Sequence, residues 1–448
     1  MSESRTVTFT RKALVALILP LIAEQFLAVM VGMADTVMVT TTGENAVSAV
    51  SLVDSLNILL IQLFSAMGAG GAIVSAQYLG HGDRKNACAA GGQLVTSSVA
   101  VSLIIALPGA LFPRAVLGLI YGKVDPGILA EAEKYFMISA LSYPFLALYN
   151  SGVGLLRAMG NSKTSMWTST VMNVINIAGN ALLIWGLKMG AAGAATASLV
   201  SRAVSAVIIF LVLRNPLMPV FLTKRNLMTF DRKMILRIMG VGLPSGMENS
   251  LFQVGKLLIA RLISQMAASI IAANAISNSI CSVLNIPGSA IALAAIAVVG
   301  QCIGAGDREH ALKYGRRLML LEFLGVIPAN LIAFFFAGGI VSLFHISPEG
   351  SAAAVEVVRL YSVVSVTLWV FSFGLPNTLR AAGDTKFTMT VSVISMLTLR
   401  LGLSYILVDG LGLGLNGVWY AMYADWAVRS LCFFIRFRNH KWLDRRVI

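Results

Sequence analysis

QYLGHGDRKNA, running from Gln77 to Ala87, returns as QCIGAGDREHA from Gln301 to Ala311, half of the 448-residue chain further on. Three more matches keep the same order. Leu19-Pro20 is echoed by Leu243-Pro244, and Glu24 is then matched by Glu248. LRAMGNSK at 156–163 recurs as LRAAGDTK at 379–386, slipped by a single residue. Gly186, Gly190 and Gly193 come back as Gly410, Gly414 and Gly417. Matches in one order at four separate places define a chain built from two homologous halves. Each QxxGxGDR segment reads as a tight turn, with glycines for close approach and Arg84 or Arg308 as an anchor to lipid headgroups.

What lies between these turns is apolar. Hydrophobic residues make up 57% of the chain and charged ones only 12%. A soluble protein of this length needs more charge than that to cover its surface. The apolar residues fall in blocks of about twenty or more, the length of helix that crosses a bilayer. The blocks place helices near 13–38, 48–75, 89–112, 131–155, 164–186 and 192–214. A second set lies near 236–264, 270–299, 312–337, 353–377, 387–408 and 415–436. The expected fold is therefore all-α, with twelve transmembrane helices in two pseudo-symmetric six-helix lobes. The lobes are residues 1–214 and 236–448, joined by a polar linker, 215–235, that carries Lys224, Arg225, Arg232 and Lys233.

The formal net charge of +14 supports that count. With twelve helices, Arg5, Arg11, Lys12, Arg84, Lys85, the linker cluster, Arg308 and the basic tail all fall on one side. The opposite loops hold only Arg114, Lys123, Lys134 and Lys188. Such asymmetry puts both termini in the cytoplasm of a multi-pass protein of the cell membrane. It also accounts for the basic balance without a nucleic-acid partner, which would need a soluble domain. The four cysteines are scattered singly and form neither a disulfide framework nor a metal motif. No phosphate-binding loop, paired-histidine motif or acidic cluster suggests an enzyme. Because six helices is an even number, the halves enter the membrane from the same side. Parallel repeats of this kind place a substrate site at the midplane and work by alternating access.

Taken together, the helix count, the paired QxxGxGDR loops, Pro20 with Ala34-Asp35-Thr36, and the Arg-Ala-x-Gly-[Asn/Asp]-[Ser/Thr]-Lys loops resemble the multidrug and toxic compound extrusion (MATE) family over nearly the whole chain. The resemblance implies a V-shaped pair of bundles that exports organic cations in exchange for sodium or protons, with no resident cofactor. Its natural alternative is the lipid-linked oligosaccharide or precursor flippases of the same superfamily, whose cavities are basic and whose members often carry extra helices. The expected partners are small cationic amphiphilic drugs and membrane lipids, and a monomer is expected because the repeat already supplies two lobes.

Charge inside a membrane helix is costly, about 2.5–3.5 kcal/mol per residue on insertion scales, and tends to be functional. Asp35 is the first candidate for the coupling site. It follows Glu24 by eleven residues, about three turns, so both lie on one face of helix 1, and Pro20 offers a hinge one turn earlier. The family resemblance assigns a cation or proton to the matching aspartate in the DinF-like branch, and the rest of that site to helices 5 and 6. Asn176 matches a family asparagine there. Asn180 departs from the aspartate of archaeal members, and Thr196 could add a hydroxyl. Oxygen ligands suit a hard cation such as sodium. A proton serves equally, because leaving water disfavours a carboxylate's charged form.

The expected substrate cavity and charge network comprise Glu24, Asp54, Glu248, Gln253, Lys256 and Arg400. Glu248 and Lys256 share one stripe of helix 7. Another branch of the family has an essential glutamate about one turn after Glu248, where this chain has Phe252. Asn278 is Asp54's partner in the repeat. Arg400 stands opposite Asn176 and is expected to pair with an acid, while Arg202 reads as lying near a helix end and free to snorkel.

Overall fold

A computed structural model describes residues 6–122 and 125–448. Arg5 and Lys123, two of the charges used for orientation, lie outside the described residues. Among those described there is no strand. Six helices form the first half: α1 (Arg11–Thr40), α2 (Glu44–His81), α3 (Arg84–Leu111), α4 (Pro126–Ala158), α5 (Ser162–Asn180) and α6 (Gly190–Leu213). The second half holds α7 (Arg232–Ile263), α8 in two segments (Ala268–Leu284 and Ile286–Ala305) and α9 (Arg308–Ser342). It ends with α10 (Pro348–Ala381), α11 (Thr385–Gly410) and α12 (Gly414–Arg438).

Eight of these helices are long and apolar enough to cross a membrane by length and composition. The remaining four spans, α4, α5, α7 and α12, carry the heavier polar load. Short helices at Pro113–Tyr121 and Lys224–Met228 were not expected from the apolar blocks. The break in α8 falls at Asn285, just before Pro287. α1 stays helical through Pro20.

The described residues pack as two compact units, Arg11–Gly246 and Met247–Val447, with residues 6–10 belonging to the latter. The boundary falls inside α7. The polar linker and the first turns of α7 therefore pack with the N-terminal unit, where the sequence division had set 215–235 apart and begun the second lobe at 236. In the N-terminal unit α2 and α4 touch backbone to backbone. A Cβ on Gly154 would lie 2.5 Å from the Gly68 carbonyl oxygen, so neither helix can approach this closely with a larger residue there.

The duplicated loops have a simple physical account. Gly82 ends α2 in the left-handed conformation (φ 83°), and Asp83 then caps α3 by accepting from the Asn86 N–H at 3.0 Å. Gly306 (φ 77°) and Asp307, which accepts from the His310 N–H at 3.1 Å, repeat the device between α8 and α9. A helix can thus stop and another start within two residues. The arginine that follows does not reach for headgroups. Arg84 donates to the carbonyls of Pro216, Met218 and Pro219 at 2.6–3.1 Å and holds the linker, and Arg308 pairs with Asp444 at 2.7 Å.

The return of the repeat to register after its one-residue slip also has a structural cause. α5 and α11 both end in a π turn, Ala181–Gly186 and Ile406–Gly410, but α11 contains a second one at Met396–Gly402. A π turn accommodates one extra residue without breaking the helix. The LRA loops lie before it and are out of step, whereas Gly186 and Gly410 lie after it and are back in register.

Candidate functional site

Within the N-terminal unit, α1 and α5 run in the same direction, so the eleven-residue spacing on α1 is answered by an equal spacing on α5. Glu24 accepts from Ser165 at 2.8 Å and pairs with Arg157 at 2.7 Å. Three turns on, Asp35 meets Asn176 and Asn180. Asn180 donates to Asp35 Oδ1 at 2.7 Å. With its amide turned so that nitrogen faces the carboxylate, Asn176 donates to the same oxygen at 2.8 Å and accepts from Ser198 at 3.2 Å. Glu24 and Asp35 do share a face, but their chemistry differs. Glu24 is 5% exposed and fully committed to its arginine, whereas Asp35 opens onto a cavity of about 530 Å³.

That cavity joins Asp35 on α1 to Asp54 on α2 and to Ser198 and Arg202 on α6. Asp54 accepts from Asn57 and Tyr135, each at 2.9 Å, and Tyr143 donates to Asn57 at 2.8 Å. Arg202 donates to Ser142 at 2.7 Å. It sits in the middle of α6 and lines the cavity, where the sequence reading had it snorkelling from a helix end. Thr196 does not join the site. Its hydroxyl donates to the Ala192 carbonyl at 2.8 Å, and two residues along a helix is more than half a turn away from Ser198. The hydroxyl at Asp35's side is therefore Ser198, legible in retrospect from Ala194, Ser198 and Arg202 at four-residue spacing.

As it stands, the cluster offers N–H donors to an ionised carboxylate. Turned over, the two amides would present oxygens instead, and carboxylate, amide and hydroxyl oxygens make a cradle for a hard monovalent cation. The buried amide oxygen of Asn180 has no hydrogen-bond partner among the described residues, so one such acceptor is already at hand.

The second half answers the first in one respect and inverts it in another. Glu248 pairs with Arg380 at 2.6 Å, and Arg380 also reaches Thr388 at 3.4 Å. By the repeat, the ion pair is that of Glu24 and Arg157 over again, but Thr388, which stands for Ser165, accepts from the arginine and does not reach Glu248, whose Oε2 has no hydrogen-bond partner among the described residues. Glu248 is thus bound to the LRA-loop arginine and not to Lys256. Lys256 and Arg400 both line a cavity of about 340 Å³ that Gln253 does not reach. Their charges lie 5.3 and 4.9 Å from the ring centre of Phe252. Arg400 makes no ion pair among the described residues. The nearby carboxylate, Asp425, accepts from Ser395 and lies 3.9 Å from Arg429. Glu322, a carboxyl on α9 that is 1% exposed, was not among the residues expected from the sequence.

Twelve helical spans in two repeated units, with a half-buried carboxylate opening onto a polar cavity, define a polytopic membrane protein. Residues 20–182 and 244–406 both match the MatE family model, and the chain belongs to that family of transporters. It is 26% identical over 440 residues to the uncharacterized transporter YisQ of Bacillus subtilis (strain 168), covering 97% of this chain and 95% of that one. It is 28% identical over 450 residues to the probable multidrug resistance protein NorM of Thermotoga maritima, covering 98% and 94%. Among solved structures, a MATE crystal structure in the straight conformation superposes with a TM-score of 0.89 at 20% identity, over 97% of this chain and 96% of that one.

Proposed function

We propose that the protein is a secondary active multidrug exporter that expels organic cations by antiport with sodium or protons. Relatives along nearly the full length, among them the Thermotoga NorM described as a probable multidrug resistance protein, support the export of drugs. The observation that carries the coupling is Asp35, a carboxylate held by two amides at the edge of a cavity shared with Asp54. A cation or proton taken up there neutralises the carboxylate and removes the need for the amide donors. The set of helix contacts that α1 makes with α5 then changes with occupancy. That is the differential binding which lets an ion shift the population between two access states. Orientation follows the loop charges, with both termini in the cytoplasm.

The experiment is ethidium efflux from proteoliposomes holding the purified protein, under an imposed sodium gradient and, separately, an imposed proton gradient. Efflux under one of them establishes the exporter and names its ion. Absence of efflux under both would move the reading to a flippase of lipid-linked cargo.

A further inference from the structure

The two cavities described above occupy the same place in the repeat. Advancing by half the chain length takes Asp54 to Asn278, Ala194 to Val418 and Ser198 to Met422, and each member of each pair lines its own unit's cavity. The chemistry is reversed. Asp35 becomes Ile259, Gly32 becomes Lys256, Asn176 becomes Arg400, and the cation Arg202 becomes Trp426. One cavity carries two carboxylates and one arginine, and the other carries a lysine and an arginine with no carboxylate in its lining.

Among the described residues the basic charges are only partly matched by carboxylates, and Arg400 and Lys256 make no ion pair. Glu248 is taken by Arg380, Asp384 by Arg436, and Asp425 is shared between Ser395 and Arg429. Around Phe252 there are thus three cations, Lys256, Arg400 and Arg429, against the single carboxylate of Asp425. Like charges set side by side in a membrane-embedded unit are unfavourable unless something compensates them. The Phe252 ring meets part of that need through its face, while the polar hydrogens of Lys256 and Arg400 remain for a ligand. Arg400 sits at the centre of the extra π turn, a feature that recurs at functional sites. The rest of the lining is largely apolar, with Ile259, Ile263, Val418 and Met422 beside the uncharged Ser264, Asn274 and Asn278.

We propose that this cavity in the C-terminal unit binds a phosphate group carried on an apolar body. Arginine's planar fork fits phosphate oxygens, lysine adds a second charge, and the apolar wall takes the remainder of the molecule. Either an anionic phospholipid or a water-soluble organophosphate presents that chemistry. The site is independent of the Asp35 reading and lies entirely in the other unit.

Two probes distinguish the sources. Radiolabelled phenyl phosphate is titrated onto the full-length protein in nanodiscs of phosphatidylcholine alone, and then in discs containing phosphatidic acid. Saturable binding is expected, weakened about tenfold or more in Lys256→Gln and in Arg400→Gln, kept in Lys256→Arg, and unchanged in Asp35→Asn. Competition by phosphatidic acid identifies a lipid as the occupant, and its absence identifies a soluble solute. Should Arg400→Gln fail to fold, Lys256→Gln, with its side chain at the cavity surface, carries the test alone. No saturable phenyl phosphate binding, or binding that Lys256→Gln leaves intact, overturns the proposal.

Discussion

Removing Arg157 strands Glu24 in the N-terminal unit. The carboxylate is 5% exposed and its two partners are Arg157 at 2.7 Å and Ser165 at 2.8 Å. Breaking a buried ion pair by deleting one partner costs about 3–5 kcal/mol, because the survivor keeps its charge without its counter-charge. The Ser165 hydroxyl remains, so the expected loss for Arg157→Met lies near the lower end, about 3 kcal/mol. Replacing both residues, Glu24→Gln with Arg157→Met, removes the stranded charge, and the double variant should be more stable than the sum of the single changes by about 1.5 kcal/mol or more. Detergent-induced unfolding in mixed micelles measures all four corners of this cycle. The repeat pairs Glu248 with Arg380 in the same way but gives the glutamate no hydroxyl, so the cycle Glu248→Gln with Arg380→Met should give a coupling at least as large. Single-variant losses that simply add, to within about 0.5 kcal/mol, would refute the structural role of the pair. So would a Glu24→Gln protein that is fully stable yet transports nothing.

Other consequences are local. Gly154→Ala drives a methyl group against the Gly68 carbonyl and should cost about 1–3 kcal/mol by the same unfolding assay, since α2 and α4 must separate. Arg84→Ala removes the donor that gathers three linker carbonyls, so limited proteolysis should cut near residues 216–219 faster than in the parent protein. Ser198→Ala should weaken gradient-driven ethidium efflux several-fold, whereas Thr196→Val should leave it unchanged, because only Ser198 reaches the amide that holds Asp35.

The twelve spans were readable because membrane thickness imposes a length and the repeat supplies a second copy of every boundary. Asp35 with Asn176 and Asn180 was named through the family resemblance, and the structure brings the three together. What failed were assignments that depend on which neighbour a long side chain reaches. Arg202 looked like a snorkelling residue although the expected span already held it near mid-helix, and the structure turns it to the cavity. Glu248 was linked to Lys256 by position on one helix, yet its partner comes from a loop 132 residues away that no helical spacing could point to. Thr196 was named and Ser198 was not, because a hydroxyl's face on a helix cannot be fixed until its neighbours are known. The opposite polarity of the two cavities was present in the aligned halves, although only the shared place of the linings shows that the substitutions face a common space.

The account rests most heavily on Asp35 as the group that couples ion to cargo. The direct measurement compares ethidium flux with and without the driving gradient, in vesicles of equal protein content, for the parent protein and Asp35→Asn. The account predicts that the gradient accelerates flux through the parent protein and leaves flux through the variant at its gradient-free level. An Asp35→Asn protein accelerated by the gradient as strongly as its parent would contradict it.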